Sequence, residues 1–523
     1  MGMKPAGKAV IVLAVAGACI AAFHFRSAII PEGKKAEDVT GLMAKGSADS
    51  DLSDGTGNSA AAPSNNKCIE VGVVTWPGYI GGEYWNQGFE DNANSRYRKD
   101  GICVNFKLMD DFAASRAAFR GNKVDLMWVT IDAFPTESGG FGENVRFLFQ
   151  ADWSRGGDAI VVRKGIKSVA DLSGKKIAVA EATPSHTFLL WMLDMGGLSM
   201  MDVNIIKQNS AVDAAAAFKS NNVDAAVVWS PDDDDCVKSV AGASVLISTK
   251  KARYIISDGF YVKESFYQRR KSDLTKLVQG WLKGNKEINE SASAKAQAIK
   301  ILQTPPLKGI EPSAIDNVRL TTYGDNLEFF GLDPNYKGVT GKQLYEKMTT
   351  VYGKLNLATN PLPWDKIVDL DFIKGLGLDA AQGGVAEQKA TFASAPTVAV
   401  AQSKAIASKP IRVSFASGSS VLDENAKGII EALFVEAAKA FPAQHIRIIG
   451  NTDSTGNAVV NTRISKERAQ AVVEYLVTQQ GFARNRFSPL NGEGVGPSNP
   501  VCTDDSPACL AKNRRTDFQI LDN

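Results

Sequence analysis

The chain has 523 residues, enough for roughly three domains by the usual size prior, and a hydrophobic content of 44% suits ordinary globular cores. A formal net charge of +2 leaves no electrostatic footprint for nucleic acid, and the only histidines, His24, His186 and His445, sit far apart in sequence. No His/Cys spacing fits a metal site, so neither a metal nor a cofactor is expected.

The N-terminus is basic and then apolar. Lys4 and Lys8 precede an apolar run over 9–23, and Arg26 follows. Residues 1–30 read as a membrane segment whose basic flank stays in the cytoplasm while the rest of the chain is exported. The residues fit retention as an inner-membrane anchor, cleavage after Ala16-Gly17-Ala18 or lipidation at Cys19, and the retained anchor is the expectation. Residues 31–66, rich in Gly, Ser, Ala, Asp and Asn, read as a flexible linker.

Residues 67–376 alternate strand and helix. Strands are expected at 67–75, 101–108, 124–129, 158–162, 175–180, 204–206, 223–229 and 255–262. Helices are expected at 112–120, 186–193 and 211–219. This βα alternation implies mainly parallel, doubly wound sheets. Ligands of such sheets sit at strand C-termini and helix N-termini. Trp76, in Trp76-Pro77-Gly78-Tyr79, stands in the first βα loop, where aromatic rings can wall a solute. Thr183, Ser185 and His186 open a helix, whose free N–H groups and dipole favour an anion. Asp132, Asp158 and Asp258 fall at or near strand ends and favour an amine or hydroxyl. Thr130 and Trp229 are further candidates at similar ends. The run 232–235 reads as first-turn acids after Ser230 and Pro231 rather than as a divalent-cation site. Neither Gly-x-Ser-x-Gly nor a P-loop occurs, so no enzyme is expected.

Four stretches of this segment carry a resemblance: Gly156-Gly157-Asp158-Ala159-Ile160-Val161-Val162; Ser168-Val169-Ala170-Asp171-Leu172 with Gly174-Lys175-Lys176; Thr183-Pro184-Ser185-His186; and Val223-Asp224-Ala225-Ala226-Val227-Val228-Trp229-Ser230-Pro231. In this order and spacing the segment resembles periplasmic solute-binding proteins of the nitrate/sulfonate/taurine type. The resemblance implies an α/β, two-lobed periplasmic-binding-protein fold (type II-like) closing on a small anionic or zwitterionic solute, with residues near 160–255 as the inserted lobe. It also implies delivery to an ABC-type permease, against an alternative in which the module is a sensor or structural spacer without a transport role.

Residues 377–409 read as a second linker, and 410–523 as a final domain. Strands are expected at 411–415, 446–449 and 516–521, and helices at 423–441 and 463–480. Asp453 lies in a Gly-punctuated loop, and Arg468 follows fifteen residues later on the core-facing stripe of a helix, where a cation needs a partner. An acid and a base at one pocket mouth suit a zwitterion. Thr452, Asp453, Gly456, Asn461, Ile464, Ser465, Arg468 and Ala469 resemble the pattern of the OmpA-like peptidoglycan-binding domain, an α+β fold. Asn451 stands where the family usually has His, and Ile464 where it usually has Leu. The resemblance implies that Asp453 and Arg468, with Thr452 and Asn461 beside them, clasp the diaminopimelate of a cell-wall stem peptide. Arg514 or Arg515 is a further candidate. Such a protein belongs in the periplasm of a Gram-negative envelope. In that oxidising space Cys68 with Cys103, flanking the first two strands, and Cys502 with Cys509, closing a short loop, are disulfide candidates.

Overall fold

The computed structural model describes residues 67–522, apart from 308–309, 414 and 417. The expected membrane segment (1–30) and first linker (31–66) lie outside the described residues. Among the described residues no helix is long and apolar enough to cross a membrane.

The solute module is built on two sheets. The strands in chain order are β1 (Ile69–Val73), β2 (Val104–Leu108), β3 (Leu126–Thr130), β4 (Val145–Ser154), β5 (Asp158–Val162), β6 (Lys176–Ala180), β7 (Asn204–Gln208), β8 (Ala225–Trp229), β9 (Ser244–Ser248), β10 (Ser257–Lys263) and β11 (Val318–Leu320). One lobe holds the sheet β11-β4-β10-β3-β1-β2, and the other holds β7-β6-β8-β5-β9. Strands β3, β5 and β10 are buried along their whole length. Helices and loops cover both faces, so these strands carry no polar alternation.

The sheets are mixed, not mainly parallel. β1 runs parallel to β2 and β3, and β6 runs parallel to β7 and β8. β10 is antiparallel to β3 and β4, and β5 is antiparallel to β8 and β9. The strands that run against the rest of their sheets are β10 and β11 in the first and β5 in the second. β5 and β10 each enter their sheet from the neighbouring lobe instead of through a βαβ crossover.

The segment read as a second linker is tied down at several points. Thr322 Oγ1 donates to the carbonyl of Val385 (2.7 Å), and the amide of Glu387 donates to Asp325 Oδ1 (2.7 Å). Arg155, in the first crossover between lobes, pairs with Glu387. Strand β12 (Ala405–Ile411) begins ahead of residue 410 and pairs antiparallel with β15 (Thr516–Leu521). Burial of Ile406, Ala407 and Ile411 moves the expected 411–415 strand earlier.

The last sheet has the order β12-β15-β13-β14, with β13 at Ile446–Asn451 and β14 at Glu493–Gly496. The helix Ala458–Thr478 lies directly on β13 and β14 because Gly450 and Gly494 carry no Cβ. A methyl at 450 would meet Ser465 O at 2.1 Å, and one at 494 would meet Lys466 N at 2.1 Å. Both neighbours are backbone and cannot swing aside. Gly450→Ala is therefore expected to cost at least the 1–3 kcal/mol typical of overpacking, read as a lower denaturation midpoint with unchanged m-value. Disulfides join Cys68 to Cys103 and Cys502 to Cys509, and Cys236 is a buried free thiol.

Candidate functional site

Strand register assembles the cleft. Asp258 stands opposite Thr130 on β3 and opposite Asp152 on β4, while Asp158 stands opposite Trp229. Directly opposed residues on antiparallel strands share a face, so these residues converge where the lobes meet. A chamber of about 30 Å3 there is lined by Trp76, Tyr79, Trp128, Thr130, Asp158, Trp229 and Asp258. Five of the nine expected solute residues (Trp76, Thr130, Asp158, Trp229 and Asp258) thus line one chamber, contributed by both lobes.

Tyr79 donates to Asp258 Oδ1 (2.7 Å), Ser154 donates to Asp158 Oδ2 (2.7 Å), and the Trp76 indole N–H points at Asp152 (3.3 Å). Gly78 makes room for Asp152: a Cβ there would lie 2.0 Å from Oδ2. Burial is the largest cause pushing all four carboxyls of this region upward. Asp132 and Asp158 rise to about 7 and Asp152 to about 8, while Asp258 stands well above the usual carboxylate range with the Asp152 charge adding to burial. None of the four has a Lys or Arg ion-pair partner among the described residues.

The other four expected residues do not line this chamber. Asp132 accepts weakly from the amide of Ser257 (3.4 Å), and its Oδ2 has no hydrogen-bond partner. Thr183 is the N-cap of helix Pro184–Met195, but its hydroxyl donates back to the carbonyl of Ala180 (2.7 Å). His186 accepts the amide of Ala182 at Nδ1 (3.2 Å), and burial drops its pKa to about 4, so the ring is neutral. Ser185 Oγ and His186 Nε2 are buried without partners. Beside them Tyr352, from the opposite lobe, bonds Thr187 (2.8 Å) and the carbonyl of Thr183 (3.3 Å).

A larger space of about 430 Å3 adjoins the chamber across Trp128, Thr130 and Pro184, and Arg116 and Arg120 line it. The Arg116 guanidinium lies 4.6 Å over the Trp128 ring and forms a double hydrogen bond with Glu137 (2.7 and 2.9 Å). Asp152, Trp128 and Arg116 carry no mark in the sequence, the first because β4 is buried almost throughout and shows no alternation.

In the last domain, Asp453 leaves the end of β13. Its Oδ2 pairs with Arg514 Nη1 (2.5 Å), and its Oδ1 accepts from the amide (3.0 Å) and hydroxyl (2.5 Å) of Thr455. Partial burial pushes the acid up, but the bonds from Thr455 and Arg514 outweigh it and hold Asp453 below the usual range. Arg468 makes no ion pair with Asp453. Its Nε donates to the carbonyl of Ser419 (3.1 Å), and its guanidinium lies 4.8 Å over Phe415. Burial lowers its pKa, and the nearby Asp453 charge works against that shift. Thr452 donates to the carbonyl of Asp453 (3.0 Å), and Asn461 donates to the carbonyl of Thr455 (2.8 Å), so both brace the loop. Arg515 turns inward to Asp517 (2.9 Å), which leaves Arg514 as the one facing the site.

Residues 414–514 match the OmpA family model, and residues 157–292 match the NMT1/THI5 like model. YiaD of Escherichia coli (strain K12) is 31% identical over 115 residues, 22% of this chain and 50% of that protein. Peptidoglycan-binding protein ArfA of Mycobacterium bovis is 35% identical over 82 residues, 16% of this chain and 24% of that protein. The chain thus spans half or less of the length of these relatives. Among solved structures, the periplasmic aliphatic sulphonate binding protein SsuA from Escherichia coli aligns with 59% of this chain and 99% of its own, at 17% identity and a TM-score of 0.46. The chain therefore carries an NMT1/THI5-like, two-lobed α/β module followed by an OmpA-family module, the pairing expected from its sequence.

Proposed function

We propose that the protein is an envelope binding protein that captures a small zwitterionic solute between its lobes and holds peptidoglycan non-covalently through its last domain. The observation that carries the solute class is the set of four buried carboxyls without a cation partner, of which Asp158 and Asp258 line the aromatic-walled chamber while Asp132 and Asp152 are buried near it. A buried acid without a partner is costly, and an ammonium group supplies the missing charge. The chamber of about 30 Å3 suits such a head group and no more. The body of the solute, with its anionic end, lies in the outer space near Arg120 and the N-terminus of helix Pro184–Met195. This favours a zwitterion over a purely anionic solute. Delivery to a permease is one use of such capture. The sensing alternative is favoured by a specific feature: both crossovers between the lobes are bonded to the rest of the chain, Arg155 to Glu387 and the amide of Tyr254 to the carbonyl of Ala440 (3.4 Å).

In the last domain Asp453 receives the ammonium and Arg468 the carboxylate of the stem-peptide diamino acid, with Arg514 orienting the acid. Export through residues 1–30, as their basic and then apolar sequence reads, would put both modules on the periplasmic side of the membrane.

Trp76, Trp128 and Trp229 around the chamber make tryptophan fluorescence a direct test. Titration with amino-sulfonates, amino acids, plain sulfonates and plain amines is expected to give saturable quenching with a zwitterion only. Saturation by a plain sulfonate alone would refute the solute class.

A further inference from the structure

A cavity of about 410 Å3 lies between the solute module and the last domain, outside both sites above. This volume falls in the range of small-molecule sites. Tyr254 and Tyr336 of the solute module face it from one side, Phe392 of the second linker and Phe482 of the last domain from the other.

Its charges are unbalanced. Lys337, Lys389, Lys439 and Arg486 line it against Glu328 and Asp333. Lys389 and Glu328 pair with each other (2.5 Å), leaving Asp333 to face three cations. Arg486 is 6% exposed and has no carboxylate partner among the described residues. Its Nε donates to Gln444 O (3.0 Å), and its Nη2 donates to Ala438 O (2.7 Å) and Phe441 O (2.6 Å). Its guanidinium lies 4.9 Å over the Phe482 ring. Burial lowers its pKa to about 9. Lys439 is also lowered, first by burial, with Glu436 opposing and the charge of Lys337 adding to the fall. A half-buried ammonium that feels a second ammonium, next to a buried guanidinium, is an unfavourable arrangement until an anion enters.

We infer that this cavity is a second binding site, for a small organic anion whose charged group meets Lys337, Lys439 and Arg486 and whose apolar or aromatic body packs among the four rings. Because the lining comes from both modules, an occupant joins them.

The test is isothermal titration of the full chain with phenylphosphate as probe, with inorganic phosphate and phenol as comparators. Phenylphosphate is expected to saturate a single site, with both comparators at least about tenfold weaker. The double variant Lys337→Glu, Lys439→Glu is expected to lose phenylphosphate affinity by about tenfold or more while keeping its melting temperature. Arg486 is left intact, since its carbonyl bonds hold the domain together. Failure of phenylphosphate to saturate, or undiminished binding in the double variant, would overturn the site. Inorganic phosphate binding as tightly as phenylphosphate would overturn the role of the rings.

Discussion

Raising the pH from 5 to 8 is expected to destabilise the ligand-free protein. In the folded state Asp132 and Asp158 rise to about 7 and Asp152 to about 8. Below the ordinary carboxylate range both folded and unfolded chains are protonated, and this contribution to stability is fully present. As pH climbs, the unfolded chain sheds its protons first, and the contribution is lost until the folded-state values near 7–8 are passed. A single such carboxyl over two pH units is worth roughly 3 kcal/mol, at about 1.4 kcal/mol per unit. Urea denaturation of the solute module across this range should therefore show a falling midpoint. Asp453 has the opposite sign: it is held below the usual range, and its contribution is lost only in acid. Asp258→Asn keeps an acceptor for Tyr79 and removes the acid. The variant is expected to be more stable than wild type at pH 8 and unable to hold the solute. A flat or rising pH profile would mean that the carboxyls are compensated in solution.

The second large effect concerns the wall. Co-sedimentation with purified sacculi is expected to retain the wild-type chain and to lose Asp453→Ala and Arg468→Ala. Truncating one partner of a hydrogen-bonded charge pair costs about 2–5 kcal/mol, or roughly thirtyfold or more in affinity. Arg514→Ala should lie between these and wild type, because Arg514 orients Asp453 but is itself half exposed at its side chain. Retention of both Asp453→Ala and Arg468→Ala at the wild-type level would remove the assignment.

Much of the candidate site is legible in the sequence because it sits where patterns break. Thr130, Asp158, Trp229 and Asp258 close or open apolar strands, and strand ends line such clefts. Asp152 was hidden because β4 is buried almost throughout, so Phe147-Leu148-Phe149-Gln150-Ala151-Asp152 shows no alternation to mark a strand. The mixed strand directions were equally invisible, since they depend on how the chain passes between lobes. In the last domain Asp453 and Arg468 stood out from their loop and helix. Their actual partners did not: Arg514 lies 61 residues from Asp453, and Arg468 rests on carbonyls 49 and 52 residues away. Adjacent arginines next to a strand point to opposite sides, but only the fold tells which side holds Asp517 and which holds Asp453. The linker boundary moved because β12 draws its pairing from β15, over a hundred residues downstream.

Mass spectrometry of small molecules released by heat from the purified full chain tests the central claim most directly. Wild type is expected to yield a compound bearing both an amine and an anionic group, at close to one per chain, and Asp258→Asn is expected to yield none. An amine-free anion, or equal amounts of the compound from both proteins, would contradict the account.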